Sequence, residues 1–180
     1  MLTPTNAAWA AVVVCVLAAI LEGVCAGRNI RPFFDTFRFP PYSAPLWVWS
    51  IIGAVCYAVF GFVVFRLLSV APPTTLSRPT LTLIVAMMIG NALSNLVIFR
   101  ARNLRLSYVV GCVFAGLDVV LLICVSQIDF IAALTLVPYL AYRVYAVWWG
   151  RALVRLNPEA FSYDRSHVQG ADRSEQRHEP

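Results

Sequence analysis

Long apolar runs, separated by short polar breaks that hold most of the arginines, set the pattern of this chain. A helix that crosses about 30 Å of hydrocarbon needs about 20 predominantly apolar residues. Five runs meet that length, at residues 7–26, 45–68, 81–99, 106–126 and 130–150. The predicted fold is an all-α membrane protein, a five-transmembrane-helix bundle. The breaks are short except the first, residues 27–44, which carries Pro32, Pro40 and Pro41. Residues 1–157 are assigned to the bundle, and five crossings leave almost nothing for a separate domain. From about Glu159 the apolar content collapses into Asp164-Arg165-Ser166-His167 and Arg173-Ser174-Glu175-Gln176-Arg177-His178. Residues 158–180 therefore read as a polar, solvated tail without fixed structure.

Composition agrees with the pattern and closes other classes. Of 180 residues, 60% are apolar and 13% charged, against about 45–50% and about 25% in soluble domains. A water-soluble globule, a disordered chain and a disulfide scaffold are excluded, the last because five scattered cysteines leave one unpaired. The first run is read as a retained span rather than a cleaved leader. No Arg or Lys precedes it, its length is that of a full crossing, and Glu22 lies near its end.

All 14 basic residues are Arg. Arg28, Arg31 and Arg38 follow the first run, Arg100, Arg102 and Arg105 the third, and Arg151, Arg155, Arg165, Arg173 and Arg177 the fifth. That is eleven on one side against two, Arg66 and Arg78, on the other. The positive-inside rule then places the C-terminus in the cytosol and the N-terminus outside. Arginines distributed in this way report topology, and no nucleic-acid partner is expected.

No enzyme constellation stands out. No run contains His, and the chain has no Cys-x-x-Cys, no Gly-rich phosphate loop and no Ser/His/acid set able to meet in the bundle. His167 and His178, eleven residues apart, make a poor metal pair, and no metal site is predicted. The cysteines read as small apolar packing, with a thiolate or tyrosinate ligand left open. Ionisable groups at membrane depth are expensive, so Glu22, Asp118 and Arg143 are functional candidates. The structural reading takes Glu22 and Arg143 as span-end or snorkelling groups and Asp118, for which the two readings weigh equally, as a partner for a neighbouring helix. Aromatic residues cluster at Tyr42, Trp47, Trp49 and Tyr57, and again at Tyr139, Tyr142, Tyr145, Trp148 and Trp149. An interfacial belt accounts for Trp148 and Trp149. Tyr139, Tyr142 and Ala146 instead share one helix face beside Pro138, a face suited to border a flat apolar ligand.

Those segments carry a resemblance. Pro40-Pro41-Tyr42-Ser43-Ala44-Pro45-Leu46-Trp47-Val48-Trp49, followed by Tyr57 and Gly61, resembles the first loop and second helix of the tryptophan-rich sensory protein/translocator protein (TspO/MBR) family. Pro138-Tyr139-Leu140-Ala141-Tyr142, with Ala146 and Leu156-Asn157, is similar to the fifth-helix signature, and Asn91 to Phe99 with Arg102 to the third helix and the loop after it. The resemblance runs from about Phe34 to Asn157. It implies a five-helix membrane protein, often dimeric, that binds porphyrins, haem, sterols or aromatic drugs inside the bundle under the first loop. It carries pocket roles onto Trp47, Tyr57, Asn91, Tyr142 and Ala146, with Tyr42 where the family usually has a loop Trp. The chain departs from the family at Gly53, Ser94 and Tyr142, which replace tryptophans, and at Gly150, which replaces an Asn. Its Asp118 lies about two turns beyond the family's fourth-helix Asp.

The expected function is binding of flat hydrophobic ligands, tetrapyrroles first and sterols second, for sensing, sequestration or transport. Residues 27–44 are the expected lid, and Arg31 and Arg38 the expected contacts for porphyrin propionates. The pattern Val137-x-Tyr139-x-x-x-Arg143 adds a weak sterol signal. No cofactor is required, with porphyrin or haem as a bound ligand, and the expected partners are the lipid bilayer, the small-molecule ligand and a second copy of the chain. Light-dependent porphyrin degradation is the enzymatic alternative, weakened by the missing indoles. A small transporter or channel is the third, weakened by the scarcity of paired charges within the spans. The resemblance implies the outer mitochondrial membrane in a eukaryote and otherwise a bacterial membrane.

Overall fold

The computed structural model describes residues 2–72 and 74–158. The assigned tail after residue 158, with His167 and His178, lies outside them. Helix α1 (Pro4–Ala26) is followed by a 3₁₀ turn at Gly27–Asn29 and a short α2 (Ile30–Thr36), then by α3 (Leu46–Ser69), α4 (Ser77–Asn95), α5 (Leu104–Ser126) and α6 (Phe130–Leu156). The last turn of α4 widens into a π-turn over Leu96–Arg100. Five helices are long and apolar enough to cross a membrane: α1, α3, α4 with its π-turn, α5 and α6. The chain is a multi-pass membrane protein, with no strand among the described residues.

Local chemistry sets the helix ends. The Thr3 hydroxyl accepts from the Asn6 amide at 3.3 Å, with Pro4 in the first turn. Asn103 caps α5 through the Leu106 amide at 2.9 Å. Helix α1 stops at Gly27, whose φ of 61° favours glycine. Arg100 closes that end by donating to the Val24 carbonyl at 2.6 Å. The helices outrun the apolar windows: α4 begins at Ser77 rather than residue 81, and α6 continues to Leu156 rather than 150. Helical hydrogen bonding continues into the polar margins that a hydropathy count omits. The first connection, expected as a proline-rich loop, contains α2, with Pro32 in its first turn, where a missing N–H costs nothing.

The spanning helices form a closed ring, with neighbours in the order α1, α3, α6, α5, α4 and back to α1. Helix α1 turns Ala7, Ala11 and Ala18 inward and leaves Val12, Val16, Leu17 and Ile20 outward. Small inward residues let backbones approach where lipid supplies no hydrophobic drive for helix association. One apolar cluster, including Val63, Ile84, Leu121, Val125 and Leu136, fills the half of the ring away from α2. A second, built on Phe33, Leu104, Trp149 and Leu153, lies beneath α2. At the former end Arg66, late in α3, reaches Asp129 at 2.8 Å. Asp129 also caps α6 by accepting from the Ala132 amide at 3.0 Å.

Asp129→Ala removes both the cap and the ion pair, and is expected to destabilise the protein by about 2–4 kcal/mol. Asp129→Asn, which retains a cap acceptor, is expected to lose less. Thermal unfolding of the detergent-solubilised variants measures the order.

Candidate functional site

Between the two apolar clusters lies a partly open cavity of about 600 Å³, walled by residues of all five spanning helices and roofed by Ile30, Phe33 and Phe34 of α2. That volume lies within the usual range of small-molecule sites, about 300–1,000 Å³. Helix α3 contributes Trp49, Gly53, Cys56, Tyr57 and Phe60, spaced to share one helical face. Helix α6 contributes Tyr139, Tyr142, Arg143, Ala146 and Trp149, again one face. Helix α4 adds Met87, Met88, Asn91, Ser94 and Asn95. A Cβ built on Gly53 or Gly111 would meet nothing within 4 Å, so the bare backbone at these two lining positions widens the space. At Gly90 the reverse holds: an added Cβ would stand 2.8 Å from the Phe114 ring, so the glycine seats that ring against α4.

The wall is aromatic with a few placed polar groups. Trp49 lies 6.3 Å from Tyr142 edge-on and 6.1 Å from Tyr145 in a stack, while Phe60 meets Tyr139 edge-on at 4.9 Å. The Tyr57 hydroxyl donates to the Glu22 carboxylate at 2.5 Å, joining α3 to α1. Arg143 donates through Nε to Asp118 Oδ2 at 2.6 Å and through Nη2 to the Tyr139 hydroxyl. The Asp118 side chain is fully buried, and that of Arg143 is 14% exposed. Asn95 and Ser94 spend hydrogen bonds on the Asn91 carbonyl, so much of the polarity of α4 is used within the helix.

The roof is fastened to α6. Trp149 Nε1 donates to Ser43 Oγ at 2.8 Å, and the Tyr145 hydroxyl to the Tyr42 carbonyl at 3.2 Å. Asn157 holds the Arg38 backbone from both sides, accepting from its N–H at 2.8 Å and donating to its carbonyl at 2.9 Å. Phe33 packs against Phe37 and Phe99 at 4.8 and 5.2 Å between centroids.

The cavity brings together Tyr57, Asn91, Tyr142 and Ala146, and also Tyr139 and Arg143 of the sterol pattern. Five sequence-predicted positions fall outside its lining. Trp47 is 65% exposed on the outer face of α3. Tyr42 stacks on Trp148 at 4.1 Å, Val137 faces outward, and Arg31 and Arg38 are exposed. Trp49 and Trp149 line the cavity without being among the predicted site residues. For Trp49 the signal is present: Trp49, Gly53, Cys56 and Phe60 fall on one helical stripe, and Trp47, two residues away, does not. Trp149, expected in the interfacial belt, is instead buried and hydrogen-bonded to the roof. Glu22 and Arg143 do not snorkel, since each is bonded inside the bundle.

A family model described as TspO/MBR family matches residues 11–150 of the chain. No curated protein matches it.

Removing one member of a buried ion pair leaves the other uncompensated, whereas replacing both by apolar groups is often neutral. Arg143→Leu is therefore expected to destabilise the protein by about 3–5 kcal/mol, and adding Asp118→Leu to recover most of that loss. Thermal midpoints of the single and double variants in detergent check the order.

Proposed function

The chain belongs to the TspO/MBR family, and from that premise we propose that it binds flat hydrophobic ligands within the membrane, porphyrin or haem first and sterols second, for their sensing, sequestration or transport. The observation that carries the reading is the aromatic-walled cavity of about 600 Å³ among the five spanning helices. Trp49, Tyr142 and Phe60 offer ring faces and edges, and Gly53, Ser94 and Ala146 leave space beside them. A planar ligand gains contact area from such walls at little cost in ordering, because the rings are already fixed by their neighbours.

The roof supports the same reading. Helix α2 caps the cavity, and the loop after it is held to α6 by side-chain bonds that can open without unfolding a spanning helix. Arg31 on α2 and Arg38 just after it stand exposed on the roof segment, and on this reading they meet ligand carboxylates outside the cavity. The eleven arginines of that side favour a cytosolic position for it and for the C-terminus. The membrane is then the outer mitochondrial one in a eukaryote and a bacterial one otherwise, and a homodimer belongs to the same reading.

Titration of the nanodisc-embedded protein with protoporphyrin IX, followed by quenching of tryptophan fluorescence, is expected to give saturable micromolar binding. The double variant Tyr142→Ala/Ala146→Phe removes a ring from the wall and fills the gap beside it, and is expected to weaken binding at least about tenfold. Absence of saturable binding to the unaltered protein would sink the tetrapyrrole reading.

A further inference from the structure

Arg143 lies midway along α6, at membrane depth, on the cavity wall beside Tyr139 and Phe114. Its guanidinium carbon is 5.3 Å from the Tyr139 ring centroid and 5.9 Å from that of Phe114. A guanidinium carries five N–H donors, and the bonds to Asp118 and to the Tyr139 hydroxyl use two. Donors that remain on an apolar wall favour an acceptor, since a polar group without a partner in such surroundings is costly.

Charge decides what kind of acceptor. Asp118 already neutralises Arg143, and Asp118 Oδ1 is buried without a hydrogen bond among the described residues. Glu22 brings a second carboxylate to the same cavity, and among the described lining residues Arg143 is the one cation. A ligand carboxylate driven to this depth would compete with Asp118 for the same donors and leave net negative charge in a medium of low dielectric. An uncharged oxygen accepts from Arg143 with neither cost.

We propose that Arg143 forms an acceptor-reading subsite, which takes the uncharged carbonyl or hydroxyl oxygen of a flat ligand, while Asp118 is a positioning residue that holds the guanidinium. Any carboxylates on the ligand trail toward α2 and the arginine-rich end. The inference rests on the cavity being the flat-ligand site, and it adds that the ligand enters with its uncharged polar edge leading. For a tetrapyrrole with both propionates on one edge, the substituents of the opposite edge are the ones Arg143 reads.

The test uses two porphyrins with the same propionates and different groups on the opposite edge: diacetyldeuteroporphyrin, with carbonyl acceptors, and mesoporphyrin IX, with ethyl groups of similar size. The full chain in nanodiscs is expected to bind the diacetyl compound about tenfold or more tighter, the worth of a hydrogen bond from a charged donor. In Arg143→Leu/Asp118→Leu the ratio of the two affinities is expected to fall to about one. A second readout needs no variant: the acetyl carbonyl stretch of the bound ligand should move to lower frequency than in empty nanodiscs. Equal saturable affinities, a ratio unchanged in the double variant, or an unshifted carbonyl band would overturn the inference and leave the binding function standing. No saturable binding of either porphyrin would overturn both.

Discussion

A polar group inside hydrocarbon has no water to turn to and must find its partner within the protein. That constraint accounts for more of this molecule than any other. It requires the spanning backbone to be helical, and it explains where the ionisable side chains go. Glu22 meets Tyr57, Asp118 meets Arg143, and Asp129 meets Arg66. These contacts join α1 to α3, α5 to α6 and α3 to α6, each a pair of neighbours in the ring. Because lipid tails are as apolar as leucine, hydrophobic burial does little to hold helices together here. The polar partners serve as fasteners, with inward alanines on α1 permitting close approach.

Fastening of this kind leaves the middle of the ring free. Apolar side chains pack the half away from α2, and a phenylalanine and tryptophan cluster packs the other end beneath the roof. Between them the wall carries residues too small to fill the space, Gly53, Ser94, Gly111 and Ala146 among them. Positions where the resemblance leads one to expect tryptophans carry Gly53 and Ser94, so the same substitutions that weaken a photochemical role also leave room for a planar ligand. The shape of the cavity and its binding role thus follow from one set of residues.

The five spans were legible because a run of about twenty apolar residues is too long and too oily for most soluble helices and matches the thickness of a bilayer. Their ends were less so, since a hydropathy window stops at Arg151 while the helix continues to Leu156. The short helix α2 was hidden by prolines that signal a loop unless one falls in a first turn, as Pro32 does. Within the site, the α6 face was readable from the spacing of Tyr139, Tyr142 and Ala146. The α3 face was equally readable from Trp49, Gly53 and Phe60, but the resemblance points to Trp47, which faces away. The pairing of Arg143 with Asp118 spans 25 residues and two helices, and no local pattern reveals which side chains a tertiary fold brings together. Paired charges look scarce along the spans when read in sequence, yet Arg143 on the cavity wall is paired with the buried Asp118.

If the ligand occupies the cavity beneath α2, native cysteines can report it. Cys56 lines the cavity and Cys112, on α5, is exposed outside it. Two variants of the protein, each retaining one of these thiols and lacking the other four cysteines, would be alkylated with N-ethylmaleimide in nanodiscs with and without saturating protoporphyrin IX. A ligand in the cavity is expected to slow alkylation of Cys56 several-fold and to leave Cys112 unchanged. Saturable binding with both rates unchanged, or with Cys112 alone protected, would place the ligand on the outer surface and contradict binding in the cavity.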